Sequence, residues 1–346
     1  MKIKSTLNLH NILQCAVQLE ASDIHFSKNA RPIFRIHGDL QQVSVFPKLM
    51  AFDTEVIAKQ IVGDRLWWKL VKEGELDMSY SVPAISRFRV NIYKQRSSYS
   101  IAIRVIPFAV PSIEELGMPF IINQFAQESK GLVLITGPTG SGKSTTLASM
   151  IQYMNKNMKR HIITLEDPVE YLHTHNSCII EQREIGKDTK NFSTGLRASL
   201  RQDPDVILVG ELRDLETIST ALTAAETGHL VLATVHTSSA PSTVERVIDV
   251  FPDTQQNQIR LQLASCLVGI ISQRLIPRKD GNGRVVATEV LLNNTAVSNL
   301  IRTEKVHQII NVLQTGRHLG MHTMQSSVQE LVKSGVISSE VSSLLL

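Results

Sequence analysis

Residues 131–147 read GLVLITGPTGSGKSTTL, in which a short apolar run leads into closely spaced glycines and then Lys-Ser-Thr. The apolar run predicts a buried strand, and the residues after Gly142 predict a helix. The glycines between them fit the spacing G-x-x-x-x-G-K-[S/T], with Gly137, Gly142, Lys143 and Ser144 at the fixed positions. Strand, glycine-rich loop and helix in this order are typical of a phosphate-binding loop.

The chemistry of this loop follows from its backbone. Glycines let successive amides turn inward and form a concave nest for an anion, and the following helix adds its positive N-terminal end. Lys143 is expected to reach the β- and γ-phosphates of ATP, and the Ser144 hydroxyl to ligate Mg²⁺. The predicted nucleotide-binding residues are Gly137, Pro138, Thr139, Gly140, Ser141, Gly142, Lys143, Ser144 and Thr145. The alternative is a chance match, which the strand before and the helix after argue against.

Length and composition set the class of protein. The chain has 346 residues, more than one compact core usually spans, so two domains are expected. Its net charge is +4, and because the lysines and arginines are dispersed along the chain, nucleic acid is not an expected partner. Cys15, Cys178 and Cys266 lie far apart and predict free thiols of a reducing compartment. No apolar run approaches the ~18 residues that span a membrane. A cytoplasmic protein without membrane insertion is therefore expected.

The pattern of apolar residues changes along the chain. Apolar positions from Leu9 to Val17 predict an amphipathic helix, and residues 33–36, 88–93 and 101–106 predict half-buried antiparallel strands. Prolines and a glycine in 108–119 indicate a hinge between a domain of residues 1–107 and one of residues 120–346. Beyond it, strands at 132–136, 162–165, 206–209 and 230–234 alternate with helical stretches, which predicts a parallel sheet with crossover helices. The last hundred or so residues are predicted to be mainly helical.

Acidic side chains follow two of the predicted strands. Glu166 and Asp167 end the strand in HIITLEDPVEY, and Glu211 ends the strand in DPDVILVGELRD. Because parallel strands bring their carboxyl ends to one edge of the sheet, these acids are expected beside the phosphate loop. There Glu211 can orient or deprotonate an attacking water. The alternative for Glu211 is a solvated carboxylate that opens a helix.

Two histidines flank the strand in GHLVLATVHT. His229 precedes the strand and His236 follows it. A core or capping histidine is the usual role for such residues. Beside three acids and a phosphate loop, a sensor of the γ-phosphate or of conformation becomes the favoured interpretation for His236 or His229.

Together, four motifs in order resemble the secretion ATPase superfamily: GPTGSGKST, TLEDPVEY, SLRQDPDVILVGELRD and TALTAAETGHLVLATVHT. Within it, the chain resembles the pilus-retraction, or twitching-motility (PilT-like), branch. The stretches ASDIHFSKNARPIFRIHGDL and RFRVNIYKQRSSYSIAIRVIP are similar to the start and end of that family's N-terminal domain. VIDVFP, ISQRLIP and AVSNLIR are similar to its C-terminal part, so the resemblance covers nearly the whole chain.

This resemblance implies an α/β fold, with a RecA-like P-loop ATPase domain and a smaller N-terminal PAS-like α+β domain. It implies a ring of six identical subunits with ATP between the domains, peripheral at the inner membrane through a platform protein of a pilus machine. By position, Lys143 and Ser144 belong to the Walker A motif, Glu166 to the "Asp box" and Glu211 to Walker B as the catalytic base. His229 and His236 belong to the "His box". The arginines that would approach the triphosphate are Arg89, Arg96 and Arg104, since a guanidinium neutralises charge on transferring phosphoryl oxygens.

Two features bear on the branch. The assembly and type II secretion ATPases carry a four-cysteine metal module, which this chain cannot supply because only Cys266 lies beyond residue 178. Against the retraction branch, Ser298 stands where the family usually has an arginine. A separate departure, Ser97 in place of the glycine of the family's QRG turn, bears on the position of Arg96. An ATPase of a conjugative or type IV secretion system is the alternative. From other classes, the alternatives are a nucleic-acid translocase with a basic, aromatic pore, and a nucleotide-binding regulator with little hydrolysis.

Overall fold

The computed structural model describes residues 8–36, 38–83, 85–106, 109–281 and 283–340. The chain divides into two compact units, one of Met1–Ala109 with Glu170–Leu172 and one of Val110–Val169 with His173–Leu346. The division at Ala109 falls within residues 108–119, whose role as a hinge stays a prediction; Pro107 and Phe108 lie outside the described residues. Among the described helices, none combines the length and apolar character needed to cross a bilayer.

The first unit is built on an antiparallel sheet, which has the order β3-β2-β1-β6-β5-β4 within the described residues. Its elements are α1 (Leu9–Gln18), β1 (Asp23–Phe26), β2 (Ile33–Ile36), β3 (Asp39–Gln42), α2 (Ala51–Glu73, interrupted at Gly63), β4 (Glu75–Val82), β5 (Ser86–Gln95) and β6 (Ser98–Ile106). Helix α1 buries Leu9, Ile12 and Leu13, so the predicted amphipathic helix is confirmed. The three predicted strands are confirmed as β2, β5 and β6.

The second unit is built on a mixed sheet with the order β13-β12-β7-β11-β10-β8-β9 in the part of the chain that the structure describes. Its strands are β7 (Gly131–Thr136), β8 (His161–Glu166), β9 (Ile179–Glu184), β10 (Val206–Val209), β11 (Leu230–Val235), β12 (Leu267–Pro277) and β13 (Arg284–Leu292). Its α-helices are α3 (Ile121–Gln127), α4 (Lys143–Asn157), α5 (Phe192–Ser199), α6 (Leu215–Glu226), α7 (Ala240–Asp249), α8 (Asp253–Cys266), α9 (Thr295–Arg302), α10 (Ile309–Thr315) and α11 (Met324–Lys333).

The predicted parallel sheet with crossover helices is confirmed. Neighbouring strands from β12 to β9 run parallel, and within the described part of this sheet only the β12–β13 pair is antiparallel. Strand β7 lies inside the sheet between β12 and β11 and is fully buried. This arrangement brings the carboxyl ends of β7, β8, β10 and β11 to one edge, where the phosphate loop begins.

The mainly helical C-terminal prediction is incomplete. Helices α8 to α11 lie there, but β12 and β13 also form a long hairpin that extends the sheet. The apolar pattern of β12 is broken by Ser272 and Gln273, two polar side chains that are almost fully buried. Their hydrogen bonds to the phosphate loop, described below, make this burial favourable.

The predicted free thiols are confirmed. Cys178 and Cys266 are buried, Cys15 is half-buried, and none of the three forms a disulfide. Burial raises the pKa of the Cys266 thiol to about 12 and that of Cys178 in the same direction. Both thiols therefore stay protonated and unreactive at neutral pH.

Candidate nucleotide-binding and catalytic site

The phosphate loop connects the end of β7 at Thr136 to the start of α4 at Lys143. Gly137, Gly140 and Gly142 all have positive φ, at 143°, 77° and 89°. A Cβ on Gly137 would lie 2.3 Å from the carbonyl oxygen of Gln273 and 2.6 Å from the Ser141 Oγ, so only glycine fits there. The strand, loop and helix that the sequence predicts are therefore present, with backbone conformations that glycine alone adopts readily.

The loop has the features that a phosphate group requires. Pro138, Thr139 and Gly140 are exposed, and the loop leads into the N-terminus of the 15-residue helix α4. The buried Ser141 Oγ has no hydrogen-bond partner among the described residues. Helix dipole, accessible backbone and an unsatisfied hydroxyl group all suit an anionic ligand.

Lys143 is held at this loop. Only 9% of the residue is exposed, and its Nζ donates hydrogen bonds to the carbonyl oxygens of Gly137 at 2.9 Å and Pro138 at 3.0 Å. Ser144 follows on the first turn of α4 and is exposed, whereas Thr145 is half-buried. The ammonium and an accessible hydroxyl are thus adjacent, which is the pair that a phosphate and its Mg²⁺ need.

Glu211 lies beside this loop in a small cluster of charged groups. It follows β10 by two residues, and its Oε1 lies 3.2 Å from the His236 Nε2 and 2.5 Å from the Arg213 Nε. His236 directly follows β11, the neighbour of β10 in the sheet. The carboxylate is therefore held in one orientation by two nitrogen donors.

The electrostatics of His236 connect the cluster to the loop. Burial lowers the pKa of His236 below its usual value of 6.5, and the nearby positive charges of Lys143 and Arg213 act in the same direction, while Glu211 opposes them. His236 is therefore neutral at physiological pH, and its Nε2 can donate a hydrogen bond to Glu211. Pairing with Glu211 raises the pKa of Arg213, and Asp167 adds to that rise.

Glu166 is oriented by a second set of contacts. It is the last residue of β8, and its Oε1 accepts hydrogen bonds from the Thr164 Oγ1 at 2.6 Å and the Gln182 Nε2 at 3.1 Å. Asp167 follows and is exposed. Because β8 and β10 are neighbours, Glu166, Asp167 and Glu211 belong to the same edge of the sheet.

His229 lies at the opposite edge of the sheet from His236. Leu230, the first residue of β11, is paired with Gly131, the first residue of β7, so His229 belongs to the amino edge of the sheet. Its Nδ1 lies 3.1 Å from the carbonyl oxygen of Ala224. The strand between the histidines separates them by about 20 Å. The structure therefore brings His236 to the phosphate loop of this chain but not His229, whose sensor role stays a prediction.

Comparisons with known proteins identify the family of this chain. A family model described as type II/IV secretion system protein matches residues 3–343. The type IV pilus retraction ATPase PilT of Pseudomonas aeruginosa is 44% identical over 334 residues, 96% of each chain. This chain belongs to the type II/IV secretion ATPase family. A twitching motility protein of Neisseria gonorrhoeae is 46% identical over 309 residues, 89% of this chain and 82% of that protein.

A solved structure extends the likeness to three dimensions. The crystal structure of the pilus retraction motor PilT with bound ADP is 46% identical, superposes with a TM-score of 0.92, and covers 97% of this chain and 96% of that one. The predicted family, its retraction branch and its fold of an N-terminal domain with a RecA-like ATPase domain are therefore confirmed. The chain is a P-loop ATPase.

The candidate arginines of this ATPase all lie in the first unit. Arg89 on β5 and Arg104 on β6 are directly paired across the sheet, and both are exposed. The Arg104 Nε donates to the Asp23 Oδ1 at 3.1 Å. Arg96 lies with Ser97 in the two-residue turn between the strands, where both residues have positive φ. Two arginines thus occupy directly opposite positions on neighbouring strands, which is unfavourable for like charges, and the Asp23 carboxylate balances the charge of Arg104.

Several site residues of the ATPase were missed at the level of sequence. Arg213 holds Glu211, Gln182 holds Glu166, and Ser272 and Gln273 hold the phosphate loop. Arg213 stands two residues after Glu211 in GELRD, so its charge was an available signal. The other three come from neighbouring strands. For Ser272 and Gln273 the signal was a pair of polar residues after the apolar run LVGII, whereas Gln182 lies among other polar residues in IIEQRE and had no such signal.

Proposed function

We propose that this ATPase hydrolyses ATP to drive retraction of a type IV pilus-like filament. Its likeness to the pilus retraction motor over nearly the whole chain carries the proposal, and the assembled phosphate loop and Glu211 support it. The motor would act as a ring of identical subunits, with six as the expected number. It would lie in the cytoplasm, at the inner membrane, against a platform protein of the pilus machine.

The chemistry assigns separate tasks to the residues at the sheet edge. Loop amides and Lys143 hold the phosphates of ATP, which is the substrate, and Ser144 holds the Mg²⁺ that neutralises phosphate charge. Glu211, oriented by Arg213 and neutral His236, accepts the proton of the attacking water. Glu166, fixed by Thr164 and Gln182, adds a second carboxylate at this edge, suited to orient that water or the metal's own water ligands.

Arg89 and Arg104 are proposed to serve the triphosphate. The two arginines stand at directly opposite positions with Asp23 pairing with Arg104, and a guanidinium fork matches phosphoryl oxygens. We expect Arg89→Ala and Arg104→Ala each to lower kcat at least tenfold, with the double variant lower still, because such arginines stabilise transition-state charge. Steady-state ATPase assays measure this, with circular dichroism to check folding.

Arg87→Ala is the matched control for these variants. Arg87 lies on the same strand, but its guanidinium donates to the hydroxyls of Ser79 and Ser81. We therefore expect its ATPase rate to stay near wild type. Normal turnover in both single variants and in the double variant would show that Arg89 and Arg104 are only charges on a strand face.

Ser298 is accommodated within the fold. It is half-buried on α9, and its hydroxyl lies 3.0 Å from both the Ala264 carbonyl oxygen and the Asn293 Oδ1. Since Ala264 belongs to α8, the serine joins the two helices by a hydrogen bond where an arginine would carry a charge. The replacement therefore alters an internal contact of the C-terminal part and leaves the phosphate loop and Glu211 unaffected.

Deletion of the gene tests whether the motor retracts the filament or assembles it. Cells without a retraction motor should keep or accumulate surface filaments and lose twitching, as measured by electron microscopy and a surface-motility assay. Complementation with Glu211→Gln should leave twitching lost, which ties the phenotype to turnover. Cells without filaments would indicate an assembly motor, and unchanged filaments and motility would contradict a retraction role.

The alternatives have less support. An ATPase of a conjugative or type IV secretion system shares the fold, but the two relatives described above are named for pilus retraction and for twitching motility. A nucleic-acid translocase predicts turnover that rises with added DNA or RNA. Purified protein assayed with and without single-stranded DNA separates that class from a pilus motor.

A further inference from the structure

Gln273 is a buried polar residue on β12, the strand that pairs with the phosphate-loop strand β7. It is 1% exposed. Its Nε2 donates a hydrogen bond to the carbonyl oxygen of Ser141 at 2.7 Å, and its Oε1 accepts one from the Thr146 Oγ1 at 3.1 Å. One carboxamide therefore joins the phosphate loop to the first turn of α4.

The backbone of Gln273 also approaches the loop closely. Its carbonyl oxygen would lie 2.3 Å from a Cβ on Gly137, and its Nε2 would lie 3.2 Å from a Cβ on Gly142. Gln273 therefore contacts the loop at both of its defining glycines. The neighbouring Ser272 adds a hydrogen bond of 2.8 Å between its Oγ and the Thr136 Oγ1, at the end of β7.

The contact with Ser141 sets the direction of a peptide group. The bond between Ser141 and Gly142 is trans, so its C=O and N–H point in opposite directions. Because the carbonyl oxygen of Ser141 is bound by Gln273, the N–H of Gly142 points away from Gln273. A phosphate loop works only if amides of this kind face its ligand.

We propose that Gln273 is a positioning residue of the phosphate loop, which turns the 141–142 peptide so that the Gly142 N–H faces the bound phosphate. This inference rests on the proposed nucleotide site. Gln273 itself does not touch the nucleotide. It acts through the loop, and its loss should therefore weaken ADP and ATP binding more than it weakens the fold.

Gln273→Met is the main test, because methionine has a similar length and forms neither hydrogen bond. We expect the Kd for ADP, measured by titration calorimetry at pH 7.5, to rise at least tenfold. Both kcat and kcat/KM for ATP should fall. A variant with lowered Tm but wild-type Kd and kcat/KM would overturn the inference, since the glutamine would then serve packing alone.

Gln273→Glu gives an independent readout by pH. The ionised carboxylate cannot donate to the Ser141 carbonyl oxygen, whereas the neutral acid can, and burial favours the neutral acid. Its deficit in ADP affinity, relative to wild type at the same pH, should therefore shrink between pH 8 and pH 5.5. The deficit of Gln273→Met should not shrink. Equal pH profiles for the two variants would contradict a role for the donated hydrogen bond. Where Gln273→Met folds poorly, a Gln273→Glu deficit that does not shrink between pH 8 and pH 5.5 would contradict it in the same way.

Two further variants separate the possible failures. Thr288→Val is the matched control, because Thr288 is paired with Gln273 across the hairpin but its hydroxyl contacts His322 at 2.8 Å. It should lower Tm and leave the Kd for ADP within twofold of wild type. Lys143→Ala should lose affinity for ADP whether or not Gln273 positions the loop. If Lys143→Ala and Gln273→Met both bound ADP normally, the proposed nucleotide site would be wrong. If Gln273→Met bound ADP normally and Lys143→Ala did not, the nucleotide site would stand and only the positioning role of Gln273 would be wrong.

Discussion

Replacing Lys143 with alanine should raise the Kd for ADP and ATP at least a hundredfold and remove ATP turnover. Lys143 is the buried cation of the phosphate loop, and hydrogen bonds to charged groups are worth about twice neutral ones. The deleted ammonium would otherwise face the β- and γ-phosphates. Titration calorimetry with ADP measures the affinity, and phosphate release measures the turnover.

The control for Lys143 lies on the same helix. Lys156 is exposed in the last turn of α4, so Lys156→Ala should bind and hydrolyse ATP as the wild type does. Because Lys143 also donates to the carbonyl oxygens of Gly137 and Pro138, its loss could loosen the loop. Lys143→Met keeps much of the side-chain volume and checks this possibility. Normal ADP affinity in both variants would place the nucleotide elsewhere.

Glu211→Gln should separate binding from chemistry. The amide keeps the shape of the side chain and an acceptor for the Arg213 Nε, but it cannot take a proton from water. We expect kcat to fall by about 10²- to 10⁴-fold, the range for loss of a general base, with the Kd for ATP changed only a few-fold. Single-turnover hydrolysis and equilibrium binding measure the two quantities separately.

Glu216→Gln provides the comparison for Glu211. Glu216 lies at the start of α6, exposed and paired with Arg197, so its carboxylate has no place in the proposed chemistry. Its replacement should leave kcat near wild type. Equal ATPase rates for Glu211→Gln and the wild type would eliminate Glu211 as the catalytic base.

Much of the site could be predicted because local patterns determine where strands end. The apolar runs of β7, β8, β10 and β11 end just before Gly137, Asp167, Gly210 and His236, and parallel topology brings these ends together. The same rule places His229 at the opposite edge, since it precedes its strand. Its grouping with His236 rests on the strand that both histidines flank and does not use the direction of that strand.

The missed residues depend on register between distant segments. Gln182 reaches Glu166 only because β9 pairs with β8 in one particular alignment, and Gln273 reaches Ser141 across 132 positions of sequence. No local pattern encodes such a pairing. A buried polar residue within a strand weakens the apolar signal, so β12 was hidden by the same residues that support the phosphate loop.

The position of β12 in the sequence also determines when the phosphate loop is completed during synthesis of the chain. The phosphate loop leaves the ribosome about 130 residues before Ser272 and Gln273, whose hydrogen bonds to Thr136, Ser141 and Thr146 complete its surroundings. Contacts of such long sequence separation form late, after the costly closure of a large loop of chain. A nascent chain therefore carries the glycine-rich motif long before it carries a finished site. We therefore expect a nascent chain to bind nucleotide only after β12 has paired with β7 and completed the surroundings of the phosphate loop.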